Sequence, residues 1–173
     1  MSNSRVLLDK NVAREILEGL EKNAQGTALD ASQQLALETL KTELLAGKKL
    51  FIVPASDNIL SLRFATREEV RFLKRHVEII IPTRYYKRWS RRLRAFGFTR
   101  EDANVLGFGT FGTDDEESFL GVDEVWTFDK PMVNLFEIAG EQIQKKLTAM
   151  KRDLEPPYDA AKLPEVKLLG KDK

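Results

Sequence analysis

Three stretches of this chain carry an aspartate where a strand pattern gives way to a helix pattern: VLLDKN (Val6 to Asn11), TREDANVLGFG (Thr99 to Gly109) and VDEVWTFDKPM (Val122 to Met132). Around them, short apolar runs alternate with segments of helical period. Such alternation builds a parallel sheet with helices on both faces. The expected fold is therefore α/β, a three-layer α/β/α arrangement with a mostly parallel sheet of four or five strands. In that arrangement Asp9, Asp102 and Asp129 would meet near the carboxyl edge of the sheet, where open α/β folds bind ligands.

Element by element, Arg5 to Leu8 reads as a buried strand, followed by a helix with Asn11 as its cap and Val12, Ile16, Leu17 and Leu20 on its apolar face. Asp30 caps a second helix that ends at Gly47. Leu50 to Val53 is the second strand, Asp57 to Leu62 forms one or two helical turns, and Thr66 with Glu69 has capping-box spacing. Val77 to Ile81, apolar almost throughout, reads as a strand covered on both faces. Thr83 should cap a basic helix, Thr99 should lead into another, and Glu124 to Phe128 should be a strand. Asp129, with Pro131 in the first turn, opens a long helix to about Met150. One domain over residues 1–153 follows, because 173 residues suffice for one sizeable core. Residues 154–173, with Pro156, Pro157 and Pro164 among many charges, read as a flexible tail.

Charge and composition exclude several classes. With 28 Lys plus Arg against 27 Asp plus Glu, any attraction to a polyanion must come from a local cluster. The absence of cysteine removes disulfides, thiolate metal sites and Cys nucleophiles, and the single His76 cannot form a zinc site alone. No leader-like start and no apolar run of about 20 residues is visible, so the expectation is a cytoplasmic protein with no membrane span.

Clustered carboxylates suit a hard divalent cation, Mg²⁺ or Mn²⁺. Such an ion makes metal-dependent phosphodiester hydrolysis the leading expectation, with Asp9, Asp102 and Asp129 as ligands and Asn11 or Thr127 orienting a carboxylate or water. The same aspartates also have structural readings. Asp102 completes a capping box with Thr99, Asp129 stands as an N-cap, and Asp9 can simply end a strand. Capping, however, would accept Ser, Thr or Asn equally well.

In their order and spacing, VLLDKNV, EDANVLGFGTFG and EVWTFDKPM resemble the PIN-domain nucleases, small α/β proteins that cut RNA with metal held by acidic residues. The resemblance covers roughly Arg5 to Phe136. It implies a metal-dependent endoribonuclease acting through Asp9, Asp102 and Asp129, possible homodimers, and, for a toxin of a toxin–antitoxin pair, a small antitoxin-like protein partner. The sequence departs from the family where a glutamate follows the second strand. That region reads FIVPASDNILSLR, and Asp57 is the nearest acid that could serve as a further ligand. A non-cleaving PIN-like module that binds RNA or protein is the alternative.

A second signal is PTRYYKRWSRRLRAFGFTR, since no acid occurs from Ile79 through Arg100. Arg84, Arg88 and Arg91 share helical spacing beside an apolar row of Tyr85, Trp89, Leu93 and Phe96. The arginines suit phosphate, and an exposed Tyr86 could stack on a base. The competing reading is a solvated face paired with the acidic Asp114 to Glu117 loop or with Glu68 and Glu69. Gly107, Gly109 and Gly112 match G-x-G-x-x-G but follow a helix start and precede that acidic loop, so close helix packing explains them better than a phosphate cradle.

Overall fold

The computed structural model describes residues 3–62 and 67–170. In chain order its elements are β1 (Arg5–Leu8), α1 (Lys10–Ala24), α2 (Ala31–Leu45), β2 (Lys49–Ile52), α3 (Pro54–Leu62), α4 (Arg67–His76), β3 (Val77–Ile79) and β4 (Ile81–Pro82). Then come α5 (Tyr86–Arg94), α6 (Arg100–Phe111), β5 (Gly112–Thr113), β6 (Glu124–Thr127), α7 (Lys130–Lys151) and β7 (Glu165–Leu168). Five strands form one parallel sheet in the order β3-β2-β1-β6-β7, and β4 with β5 makes a small antiparallel pair. No helix among the described residues is long and apolar enough to cross a membrane.

The three layers follow from strand alternation. Val6, Leu8, Leu50 and Ile52 point to one face, where they pack with Val12, Ile16 and Leu17 of α1, Leu40 of α2 and Leu73 of α4. Leu7, Phe51 and Val125 point to the other, against Trp89 and Leu93 of α5, Leu106 and Phe111 of α6, and Ile143 and Leu147 of α7. Both faces of the central strands are covered, so β1 can be continuously apolar. The chain runs outward from β1 through β2 to β3, then crosses back to place β6 on β1's other side. The order therefore reverses between β1 and β6, and at their carboxyl ends lies the crevice where such sheets bind ligands.

Several sequence expectations need correction. Helix α1 begins at Lys10 and is capped by Asp9, whose side chain accepts the Lys10 N–H, so Asn11 lies inside the helix instead of capping it. The Val77 to Ile81 run is not a doubly covered strand. It breaks into β3, the sheet's edge, and β4, with Ile79 and Ile81 exposed and Ile80 alone of the three isoleucines buried. Thr83 does not cap the basic helix, because its hydroxyl donates to the Phe111 carbonyl and α5 starts at Tyr86. The expected flexible tail contains β7, paired in register with β6 from Glu124↔Glu165 to Thr127↔Leu168. Thr66 of the expected capping box lies outside the described residues. The caps at Asp30, Thr99 and Asp129 are present as read, with Gln33 completing the first as a capping box and Gly47 (φ +76) following the end of α2.

Candidate functional site

At the crevice the two central strands are stitched together by polar side chains. The Asp9 N–H donates to the Trp126 carbonyl at 2.9 Å, which continues the β1–β6 ladder to the strand end. The Asp9 carboxylate then accepts from the Lys10 N–H through Oδ1 and from the Thr127 hydroxyl through Oδ2, both at 2.7 Å. Thr127 is fully buried, and its Oγ1 also accepts the Asp129 N–H at 3.0 Å and, more loosely, Asn11 Nδ2 at 3.4 Å. Asn11 Oδ1 accepts the Phe128 N–H at 3.2 Å. One hydroxyl thus fixes the carboxylate after β1 to the backbone after β6.

Asp9 and Asp129 also cap helices, and Asp102 follows the Thr99 cap of α6. Asp129 Oδ1 accepts the Met132 N–H at 3.0 Å and caps α7, while the Asp102 N–H donates to Thr99 Oγ1 at 3.1 Å in the first turn of α6. Their charges act on one another. The Asp9 carboxyl is raised above the usual carboxylate range, first by burial and then by the charges of Asp102 and Asp129, against the lowering effect of the Thr127 and Lys10 hydrogen bonds. Asp102 is raised too, by burial and then by Asp129 and Glu101. Among the described residues, however, no group of three acidic, His or Cys side chains closes around one point as a metal cage.

Asp57 is not brought to this cluster. Because α3 begins at Pro54, position 57 lies in its first turn, where its carboxylate pairs with Lys74 of α4 at 3.7 Å. It lines a separate trough of about 720 Å³ along the β3 edge, with Glu78, Ile79 and Asp114. This trough touches none of Asp9, Asp102 and Asp129.

A smaller cleft of about 260 Å³ does open on Asp9. Val53, Pro54 and Ala55, where β2 passes into α3, form one side, and Tyr86, Val105 and Phe108 form the other. At its rim the Lys10 ammonium pairs with Glu101 at 3.5 Å, and Asn104 completes the lining. Sequence reasoning missed Lys10, Glu101 and Asn104. Lys10 and Glu101 stood beside two singled-out aspartates, a usable signal, whereas nothing local marks Asn104.

The basic segment is split by the fold. Trp89, Ser90 and Leu93 are buried against α6, with Trp89 Nε1 donating to Thr110 Oγ1 and Ser90 Oγ to the Ala103 carbonyl, both at 3.1 Å. The contact is close enough to require Gly107, where a Cβ would collide with Ser90 Oγ and press on the Tyr86 ring at 3.1 Å. Helix packing thus accounts for this glycine. Arg84 is engaged by Glu155 at 3.0 Å, and the Tyr85 hydroxyl donates to the same carboxylate at 2.6 Å. Arg88 and Arg91 are exposed, and neither has an ion-pair partner among the described residues. Tyr86 is not the exposed ring expected, since it is half-buried and stacked on Phe108 at 4.2 Å between centroids. No ion pair among the described residues joins the acidic loop to α5. Asp114 instead accepts from the Ser118 N–H and hydroxyl.

No protein-family model matches the chain, and no curated protein matches it either. The fold class rests on the architecture itself, an open five-stranded parallel sheet with helices on both faces and a polar crevice at its switch point.

Proposed function

We propose that this chain is a divalent-metal-dependent ribonuclease of PIN type, hydrolysing RNA phosphodiester bonds at Asp9, Asp102 and Asp129. What supports the reading is that Asp9 follows β1, Asp129 follows β6 and Asp102 lies in the first turn of α6, with the charges of Asp102 and Asp129 both helping to raise the Asp9 carboxyl. Their donor chemistry suits Mg²⁺ or Mn²⁺, being oxygen alone, and a cation would relieve their repulsion. Because no three acids converge as a cage, water would supply much of the ion's shell, as is usual for Mg²⁺. A bound ion there supplies a water of lowered pKa and neutralises charge on the phosphate. Thr127 and Asn11 hold the Asp9 carboxylate and the following strand end in place, and Arg88 and Arg91 attract the strand's phosphates. In a toxin, a small antitoxin-like protein would cover this crevice.

One observation favours a second reading, a non-cleaving PIN-like module that binds RNA or protein. The only acid offered for the missing glutamate, Asp57, is paired with Lys74 outside the crevice. Incubation of a mixed single-stranded RNA pool with the purified protein, with Mn²⁺ or with chelator, separates the two. Cleavage that needs Mn²⁺ and disappears in Asp102→Asn supports the ribonuclease. No cleavage, together with no thermal stabilisation by Mn²⁺, supports the module.

A further inference from the structure

The cleft beside Asp9 has features that a phosphate site alone does not need. It is concave, lined by Val53, Pro54 and Ala55 together with Tyr86 and Phe108, and its two carboxylates, Asp9 and Glu101, repel anions. At about 260 Å³ it falls just below the roughly 300 Å³ at which sites for drug-sized ligands begin, so it suits a single flat ring system. The aromatic wall is held firmly, because Tyr86 packs on Phe108 on one side and over Gly107, whose missing Cβ admits the ring.

The polar content is equally specific. Asn11, the asparagine nearest by, uses its amide at both ends, on Thr127 and Phe128. Asn104 is half-buried in the cleft wall, and its amide has no hydrogen-bond partner among the described residues. An unused donor and acceptor pair beside an aromatic wall matches the edge of a nucleobase, which presents the same pair in reverse. The lining also carries Lys10, whose ammonium pairs with Glu101 at 3.5 Å.

We propose that this cleft is a nucleobase slot, in which one unstacked base of the bound strand packs against Tyr86 and is read by the side-chain amide of Asn104. The inference rests on the ribonuclease reading for the nature of the strand, and it makes Asn104 the residue that selects the base next to the scissile phosphate. A base still paired in a duplex could not enter.

The test uses the ¹⁵N-labelled full chain in EDTA, titrated with the four nucleoside 5′-monophosphates and with ribose 5-phosphate. At least one nucleotide is expected to shift the Asn104 side-chain amide and the Ala55 and Val105 resonances saturably, while ribose 5-phosphate leaves them in place. Asn104→Leu should weaken that nucleotide on the order of tenfold, and Ala55→Leu, which fills the slot from an exposed position, should abolish the shifts with the rest of the spectrum unchanged. Shifts confined to the surroundings of Arg88 and Arg91, or equal shifts with ribose 5-phosphate, overturn the slot. Mn²⁺-dependent RNA cleavage measured in parallel keeps the two ideas apart. Cleavage without slot shifts overturns the slot and leaves the ribonuclease, whereas slot shifts without cleavage uphold the slot and remove the catalysis.

Discussion

Thr127→Val tests whether the crevice is held by a single hydroxyl. Valine copies the shape of threonine, so the substitution opens no cavity in a fully buried position and changes only the hydrogen bonds. Asp9 Oδ2 loses its 2.7 Å donor, and the Asp129 N–H loses its 3.0 Å acceptor. The Asn11 contact at 3.4 Å is too long to count for much. A bond to a charged group contributes about 1.5–3 kcal/mol, and a backbone N–H left without a partner costs about 1 kcal/mol where water can partly reach it. The expected loss is therefore about 3 kcal/mol. In a chain of this size it should appear as a melting temperature lower by about 6 to 12 °C. Thr127→Ser is the control, because it keeps the hydroxyl and loses only a buried methyl, worth about 1 kcal/mol.

The deficit also has a pH signature. Asp9 already has a raised carboxyl pKa in the folded state, and loss of the Thr127 bond, a lowering influence, raises it further. A raised folded pKa means the native state holds its proton longer than the unfolded chain, so ionisation costs stability as pH rises from the usual carboxylate value through the folded one. The gap between Thr127→Val and the parent should therefore widen over that window and narrow again in acid. Urea unfolding at pH 7 and at pH 4 measures it. A variant within about 0.5 kcal/mol of the parent, the spread of an ordinary surface substitution, would refute the argument.

Other consequences are equally direct. Asp102→Asn should stabilise the metal-free protein at pH 7, by less than about 1 kcal/mol because solvent screens a half-buried group, and the gain should vanish below the usual carboxylate pKa; thermal melts across pH check the sign. The same variant should lose any melting-temperature increase that Mn²⁺ gives the parent. Gly107→Ala should destabilise by about 1–3 kcal/mol through overpacking at Ser90 and Tyr86, read by denaturation followed by tryptophan fluorescence. Arg88→Ala with Arg91→Ala should weaken binding to single-stranded RNA and flatten its salt dependence by about 1.4 in log–log slope, at ~0.7 per phosphate. Arg84→Ala should do much less, since Glu155 already holds that guanidinium.

The fold was legible where local pattern and tertiary place agree. Strands β1, β2 and β6 are central, so their apolar runs are buried on both faces, and Asp30, Thr99 and Asp129 announce the helices by capping chemistry that acts within three residues. Legibility failed at the edges. Ile79 to Ile81 is as apolar as any buried strand, but β3 has no neighbour beyond it and two of the three isoleucines stay exposed. The opposite error occurred at β7, where EVKL alternates charge with apolar residues after three prolines and so reads as tail. Its pairing with β6 lies some forty residues away in sequence, and an outer strand needs only a modest apolar contribution to be retained. Local hydrophobicity reports what a segment can bury, not whether the topology supplies a cover.

The same distinction runs through the site. Asp9, Asp102 and Asp129 could be singled out because they stand at junctions, whereas Asp57 failed because reach depends on which way a helix turns, and here it turns toward Lys74. Asn104 and the half-buried placement of Tyr86 depend on how α5 meets α6 and left no local trace. The structural duties of the three aspartates do not by themselves explain their identity. Asp9 and Asp129 accept at caps that Ser, Thr or Asn could serve without charge, and the cap of α6 is Thr99, whose bond to the backbone N–H at 102 needs no acid there. Charge at these positions instead carries a penalty, since burial and mutual repulsion raise both Asp9 and Asp102. A site that retains an avoidable repulsion holds strain that a cation can discharge, and this is why the stability of Asp102→Asn with and without Mn²⁺ bears on function as well as on folding.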